Sequence, residues 1–252
     1  MNLRRWIHAS PGCVVLVVAA TIACFVFLGS TVAEAAAQSE GPVVSNGLDA
    51  DPWEPFNEKV FSFNREFDRF LLKPIATGYD LLLPDPVQTA IKNAIYNVGV
   101  LQRLLNNLFQ LKWAGAGQEL ARFTINSTIG VAGLFDVAKH GFGIEGSDED
   151  TGQTLGVYGV GPGPYLVLPF LPVMTVRDGF GSLVDQALNP LNYVFPIVVG
   201  VGGATAGVYA TNAVNDRSLN LDKFERVEET VIDLYSAVRN AYLQRRAAAI
   251  KE

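Results

Sequence analysis

Two long stretches of this chain carry no charged side chain, and both are broken by proline and glycine. The first runs from Thr151 to Val176, between Asp150 and Arg177, and the second from Gln186 to Asn215, between Asp185 and Asp216. Uncharged runs of this kind suggest membrane-spanning helices. Here Pro162, Pro164, Pro169 and Pro172 forbid a continuous helix in the first, because each lacks an amide donor and its ring clashes with the preceding turn. Pro190, Pro196 and the cluster Gly200-Val201-Gly202-Gly203 interrupt the second. Two readings stay open. Such segments can touch lipid tails while protein covers their backbone or they line a cavity, or they can form an ordinary buried core with turns.

Composition narrows the classes. The 252 residues correspond to one domain or two small ones. Hydrophobic residues make up 49% and charged residues 17%, against about 25% charged in typical globular chains; disorder requires the opposite balance. With 19 basic and 25 acidic residues the net charge is −6, so no overall field draws in phosphate backbones and no nucleic-acid partner is expected. A mean hydropathy of +0.23 argues against a multi-span membrane protein.

Residues 1–37 read as an export signal: Arg4 and Arg5, then an apolar run from Cys13 to Leu28, then small residues. Ala33-Glu34-Ala35 and Ala35-Ala36-Ala37 both offer a cleavage site. Alternatively, Thr21-Ile22-Ala23-Cys24 resembles a bacterial lipobox, which makes Cys24 a candidate lipidation site. The cysteines, Cys13 and Cys24, both lie in this segment, so cleavage after Ala35 or Ala37 leaves no disulfide, thiolate nucleophile or cysteine metal site. Residues 38–50 read as a polar, glycine-bearing linker, and 51–252 as the folded domain.

Helical periodicity dominates that domain. Trp53, Phe56, Val60, Phe63, Phe67 and Phe70 recur at three- and four-residue intervals, which predicts one helical face to about Leu72, with Phe63 and Phe67 packed inside. Lys73-Pro74 is expected to end that helix. Asp85-Pro86-Val87-Gln88 predicts a helix start with Asp85 as N-cap and Gln88 completing a capping box. Gly99 divides this helix from one carrying Leu101, Leu104, Leu105 and Leu108. Further helices are predicted at Gln118–Ser127 and Leu134–Lys139. A last one is predicted from Asp222 to Ala249, acidic early and basic late in accord with its dipole.

Catalytic patterns do not emerge. The sequence has no Gly-x-Ser-x-Gly, His-Glu-x-x-His or Gly-Lys-Ser/Thr string. Gly159-Val160-Gly161-Pro162-Gly163-Pro164 reads as a tight loop, since its prolines remove donors that a phosphate cradle needs. Gly200-Val201-Gly202-Gly203 lacks the frame of a dinucleotide site. His140 reads as a basic residue at a helix end, and Asp148-Glu149-Asp150 as a solvated acidic turn. Arg177-Asp178, directly after an apolar run, marks either a membrane headgroup level or a local ion pair.

Several strings together resemble the MlaA-type (VacJ) family of bacterial outer-membrane proteins. They are Asp51-Pro52-Trp53-Glu54-Pro55-Phe56-Asn57, Phe61-Ser62-Phe63-Asn64, Leu72-Lys73-Pro74-Ile75-Ala76, Arg122-Phe123-Thr124-Ile125-Asn126, Gly152-Gln153-Thr154-Leu155-Gly156 through Pro169 with the following Arg177-Asp178, and Ala237-Val238-Arg239-Asn240-Ala241-Tyr242 through Arg246. The likeness covers about Asp51 to Arg246. It departs in the leader, where the family is lipidated and the lipobox here is imperfect, and in the loop at Asp148 to Thr151.

The resemblance implies a mainly α fold: a single ring-like helical domain with irregular Gly/Pro-rich segments. It implies residence in the periplasmic leaflet of a Gram-negative outer membrane, around an amphipathic channel, beside a trimeric porin. The implied role is removal of phospholipid from the outer leaflet and its release to a periplasmic lipid carrier of an ABC-transporter pathway, with no catalytic residues, metal or cofactor. Candidate channel or hinge residues are Tyr158, Gly161, Pro164, Tyr165, Arg177, Asp178, Gly200, Gly202 and Gly203. The competing reading is a soluble periplasmic lipid-binding or scaffold protein without a channel.

Overall fold

In the computed structural model the described residues are 51–192 and 204–252. They are mainly helical. Helix α1 (Glu54–Phe67) passes through a π-helical turn (Asp68–Leu72) into α2 (Lys73–Leu82), followed by α3 (Asp85–Val98), α4 (Val100–Phe109), α5 (Trp113–Thr128), α6 (Val137–Phe142) and α7 (Thr151–Val157). Strands β1 (Tyr165–Leu166) and β2 (Met174–Thr175) pair antiparallel, Tyr165 opposite Thr175. Then come α8 (Val176–Leu188), α9 (Ala204–Ser218), α10 (Leu221–Thr230) and α11 (Leu234–Ala249). No helix among the described residues is long and apolar enough to cross a membrane.

Several local expectations are corrected. Pro74 does not end the first helix. The backbone widens at Asp68–Leu72, where Lys73 N–H bonds to Asp68 O, and the proline falls in the first turn of α2. A π-turn re-routes the amide ladder just before the ring that cannot donate to it. Helix α3 has Pro84 at its N-cap, without a capping side chain. Gln88 is fully buried and turns away from the expected box, donating to Asp80 Oδ1 at 2.9 Å and Leu83 O at 2.8 Å. Helix α5 starts at Trp113, ahead of the expected Gln118, after Leu111 takes a left-handed conformation (φ 59°). Helix α6 starts at Val137 because Asp136 caps Lys139 N. The last helix is two: it breaks at Val231–Asp233, where the β-branched pair Val231-Ile232 follows Thr230, and Asp233 caps Ser236 N to begin α11.

The larger correction concerns which side chains are inside. The aromatic face of α1 is not packed within the helical assembly: Phe56, Phe63 and Phe70 are exposed, while Asn57 on the same helix is fully buried. Phe67 is half-buried and, like Phe63, meets the exposed Phe170 ring edge-on, at 4.8 and 5.5 Å. The same inversion recurs elsewhere. Arg103, Asn106, Asn107, Glu119, Arg122 and Asn126 are buried, whereas Leu81, Leu82, Leu111, Trp113, Ile129 and Leu183 are exposed. The apolar interior reduces largely to small side chains such as Ala76, Ala116 and Ala138 and a cluster of Tyr165, Val167 and Tyr235.

Buried polar groups need partners, and here they find one another. Asn57 donates to Tyr165 O and accepts from Val167 N, both at 2.9 Å. Seven residues on, Asn64 donates to Leu168 O at 2.9 Å and accepts from Phe170 N at 3.0 Å. Two asparagines on one helical face thus pair with the extended segment 165–170 as a neighbouring strand would. Arg103 meets Glu119 at 2.8 Å, lies over the Tyr96 ring at 3.6 Å, and Glu119 accepts from Ser147 N at 2.7 Å.

Helices α7 and α8 pack backbone to backbone. A Cβ on Gly181 would lie 2.3 Å from Gly152 N and 2.7 Å from Gly152 Cα. Gly181→Ala should therefore lower stability by about 1–3 kcal/mol. Gly117, helical and with open space at its Cβ, should gain about 0.4–1 kcal/mol as Ala. Melting of the two purified variants in detergent checks both signs.

Candidate functional site

The charged residues that flank the first uncharged stretch meet the C-terminal helix. Asp150 caps α7 through Gln153 N, and Thr175 caps α8 through Asp178 N. Both aspartates then face Arg246 of α11. Arg246 Nη1 lies 2.5 Å from Asp150 Oδ2, its Nη2 2.8 Å from Asp178 Oδ1, and its Nε 3.0 Å from Asp178 Oδ2. Arg177 adds Nη2 at 2.8 Å to Asp178 Oδ1, and Tyr242 donates its hydroxyl to Asp178 Oδ2 at 2.5 Å. Burial alone would raise the Asp178 carboxyl, but the hydrogen bonds from Arg246 and Tyr242 outweigh it and hold it below the ordinary value. Arg177-Asp178 is thus a buried local ion pair. Nearby, Asp185 accepts from Thr151 Oγ1 at 2.6 Å and Asn106 at 3.1 Å. Burial raises this carboxyl.

The acidic turn is solvated only at Asp148. Glu149 is buried against Gln110 and Lys112, each at 2.8 Å, and Asp150 serves Arg246. Low solvent access raises the demand for these pairings. Among the described residues no trio of His, Cys, Asp or Glu is placed to hold a metal.

A different region holds open space. One cavity of about 590 Å³ lies between α1, the β2 approach and helices α9 to α11. Phe61, Val167, Leu171, Phe224, Val227 and Val238 supply its apolar wall, and Arg65, Asp68, Arg217, Lys223 and Glu228 a charged edge. A second, of about 510 Å³, is lined by Phe67, Leu71, Ile75, Phe170, Tyr209 and Val214. The two share Asn64, Asp68, Leu72 and Leu171. Together they form an amphipathic space whose second half opens among exposed apolar side chains, including Leu71, Ile75 and Phe170. Both volumes fall in the range of about 300–1,000 Å³ typical of ligand sites.

The sequence-derived residues distribute as follows. Tyr158 is exposed at the end of α7, its hydroxyl donating to Phe109 O at 2.6 Å. Gly161 is exposed with open space around it. Pro164 O accepts from Val176 N at 3.0 Å, and Tyr165 is buried beside Tyr235 and Tyr242. None of these lines either cavity. Gly200, Gly202 and Gly203, read as a hinge, lie outside the described residues, as do the signal segment, Cys24 and the linker. Sequence reasoning missed Asn64, Asp68 and Arg217, which do line the space. The available signal was a pair of polar side chains, Asn57 and Asn64, seven apart on an otherwise aromatic helix.

The family profile of MlaA lipoprotein matches residues 49–249. The chain belongs to the MlaA lipoprotein family. Among its relatives, an uncharacterised protein of Rickettsia felis is 37% identical over 80% of this chain and 78% of its own. The intermembrane phospholipid transport system lipoprotein MlaA of Haemophilus influenzae is 32% identical, over 77% of this chain and 76% of its own. That of Escherichia coli is 30% identical over 80% of each. A solved structure, from work on the structural basis for maintenance of bacterial outer membrane lipid asymmetry, superposes with a TM-score of 0.70 at 29% identity. It covers 80% of this chain and 99% of its own. The mainly α expectation holds for this MlaA-family chain.

Two outcomes follow from the ion cluster. Arg246→Met leaves two carboxylates without their shared cation and should cost about 3–5 kcal/mol, read as a drop in melting temperature. Asp178 and Asp136 are both held below the ordinary 3.8, Asp136 by Arg122 and Asn126 against the opposing effect of burial. A depressed folded pKa adds stability that is present above 3.8 and lost as pH falls through the folded value. Melting temperature should therefore fall on acidification below about pH 4, and less steeply in Asp136→Asn.

Proposed function

We propose that this protein takes phospholipid misplaced in the outer leaflet of a Gram-negative outer membrane through its amphipathic space, and releases it on the periplasmic side. The recipient is a periplasmic carrier serving an ABC transporter. The protein sits in the periplasmic leaflet, beside a trimeric porin, and breaks no bond. The observation that carries this reading is the inverted burial: polar side chains inside, and Phe63, Phe70, Leu81, Leu82, Trp113 and Leu183 outside. Exposed apolar surface on this scale supports contact with a membrane or a protein partner. The cavities add a path with an apolar wall for tails and a charged edge for a headgroup. Family membership supports the same reading, since the Haemophilus and Escherichia relatives carry the name of an intermembrane phospholipid transport system.

A strain lacking this protein should accumulate outer-leaflet phospholipid, and the wild-type gene should reverse it. Normal asymmetry in the deletion strain would sink the proposal. Attachment to the membrane is a separate outcome. Each buried methylene contributes about 0.8 kcal/mol, so Cys24→Ala should remain in the membrane fraction, whereas adding Phe63→Ser and Phe70→Ser should release part of it. Complete release of Cys24→Ala alone would favour a soluble body tethered by lipid.

A further inference from the structure

Arg217 presents an unusual arrangement at the charged edge of the larger cavity. Its side chain is 6% exposed. Two of its three nitrogens are committed: Nε lies 2.8 Å from Asp68 Oδ1 and Nη2 3.0 Å from Asp68 Oδ2. This is the bidentate fork that fixes a guanidinium plane. The third, Nη1, is buried and has no hydrogen-bond partner among the described residues. A buried donor left unpaired is costly, and its persistence calls for an explanation. The Phe224 ring of α10 lies 4.7 Å from the guanidinium carbon. Phe224 itself is 53% exposed, and α10 buries none of its residues. The guanidinium therefore lies over a half-exposed ring, on a helix that buries none of its residues.

The charge around it points to an anion. Three cationic side chains and two carboxylates line the cavity. Arg65 is paired with Glu228 and Arg217 with Asp68, while Lys223 Nζ donates to the neutral Asn220 Oδ1 at 3.0 Å. The edge thus carries one positive charge beyond its internal pairs, beside a directional donor and an apolar wall. Guanidinium donors held in a plane suit phosphate oxygens.

We propose that Arg217 Nη1 binds a phosphate oxygen of a phospholipid headgroup when Phe224 moves aside, with Asp68 orienting the guanidinium and Lys223 supplying charge. This makes Arg217 a specificity-determining residue for phosphate-bearing lipids over uncharged ones. The inference rests on the transport reading given above.

The test titrates dihexanoylphosphatidylglycerol into the detergent-solubilised full chain and follows the phosphorus resonance. Dihexanoylglycerol, which lacks the phosphate, and inorganic phosphate are run in parallel by thermal shift. Saturable binding of the phospholipid alone is expected. The variant Asp68→Leu with Arg217→Met replaces both members of the pair, which spares the fold an unmatched buried charge. It should bind the phospholipid about tenfold more weakly or worse, the worth of a hydrogen bond to a charged group. Phe224→Ala should bind about two- to fivefold more tightly, since no cation–π contact has to be broken. Wild-type affinity in a cooperatively melting double variant overturns the proposal. If that variant does not melt cooperatively, Phe224→Ala decides, and unchanged or weaker binding overturns it. Equal binding of dihexanoylglycerol removes the phosphate from the account, and inorganic phosphate binding as tightly as the lipid makes this a free-anion site instead. The deletion strain separates the two levels. Lipid accumulation there together with unaltered binding in both variants leaves transport standing and removes Arg217 from it.

Discussion

Asparagine takes the place that leucine holds in most helical proteins. Asn57 and Asn64, two turns apart, each offer one donor and one acceptor to the backbone of residues 165–170. A proline-broken segment cannot satisfy its own amides, and burial in protein keeps water from doing so. The helix supplies what a neighbouring strand otherwise would. Elsewhere the same solution repeats: Gln88 donates to Leu83 O at the end of α2, and Arg122 to Ile144 O in the loop after α6. Directional bonds thus hold an interior too poor in large apolar side chains to be held by their burial. This frees the large side chains for the outside.

That division explains where the ion pairs sit. Arg246 ties the N-termini of α7 and α8 to the last helix, and the close approach of Gly152 and Gly181 brings the two aspartates into range of one guanidinium. Arg103 with Glu119 and Arg122 with Asp136 do the same between α4, α5 and the α6 cap. In a low-dielectric setting each such pair is valuable when complete and damaging when halved. The few buried charges of this weakly charged chain therefore stand where helices must stay in register.

Much of the helical layout was legible in the sequence. Gly99 divides two helices as its position suggests, and Gly159 and Gly163 take the positive φ of a tight loop. Periodicity located the aromatic stripe of α1 but could not say which side it faced, because a membrane-embedded and a water-soluble helix show the same spacing. The inversion needed tertiary contacts that no single helix encodes. The break at Val231–Asp233 was hidden because Phe224, Val227, Leu234 and Val238 keep a helical spacing across it, and all four line the larger cavity. Asp85 and Gln88 matched a capping pattern, but Gln88 found stronger company in Asp80. The family strings marked Asn57, Asn64, Arg177, Asp178 and Arg246 as text without revealing that they meet. The cavity-lining Arg217 lay in no string at all.

Helix α10 carries one further consequence. Its outward ties are Arg65–Glu228 and Lys73–Glu225, both solvent-exposed, and the Arg217–Phe224 contact. Exposed pairs of this kind weaken as ionic strength rises, because mobile ions screen them within about 10 Å at 0.1 M salt. The buried pairs of Arg246 and Arg103 are largely insulated from that screening. The molecule therefore has two electrostatic layers that answer differently to its surroundings. Salt in the envelope loosens the helix covering the cavity well before it disturbs the frame, so the hold of α10 on that space is set partly by the medium.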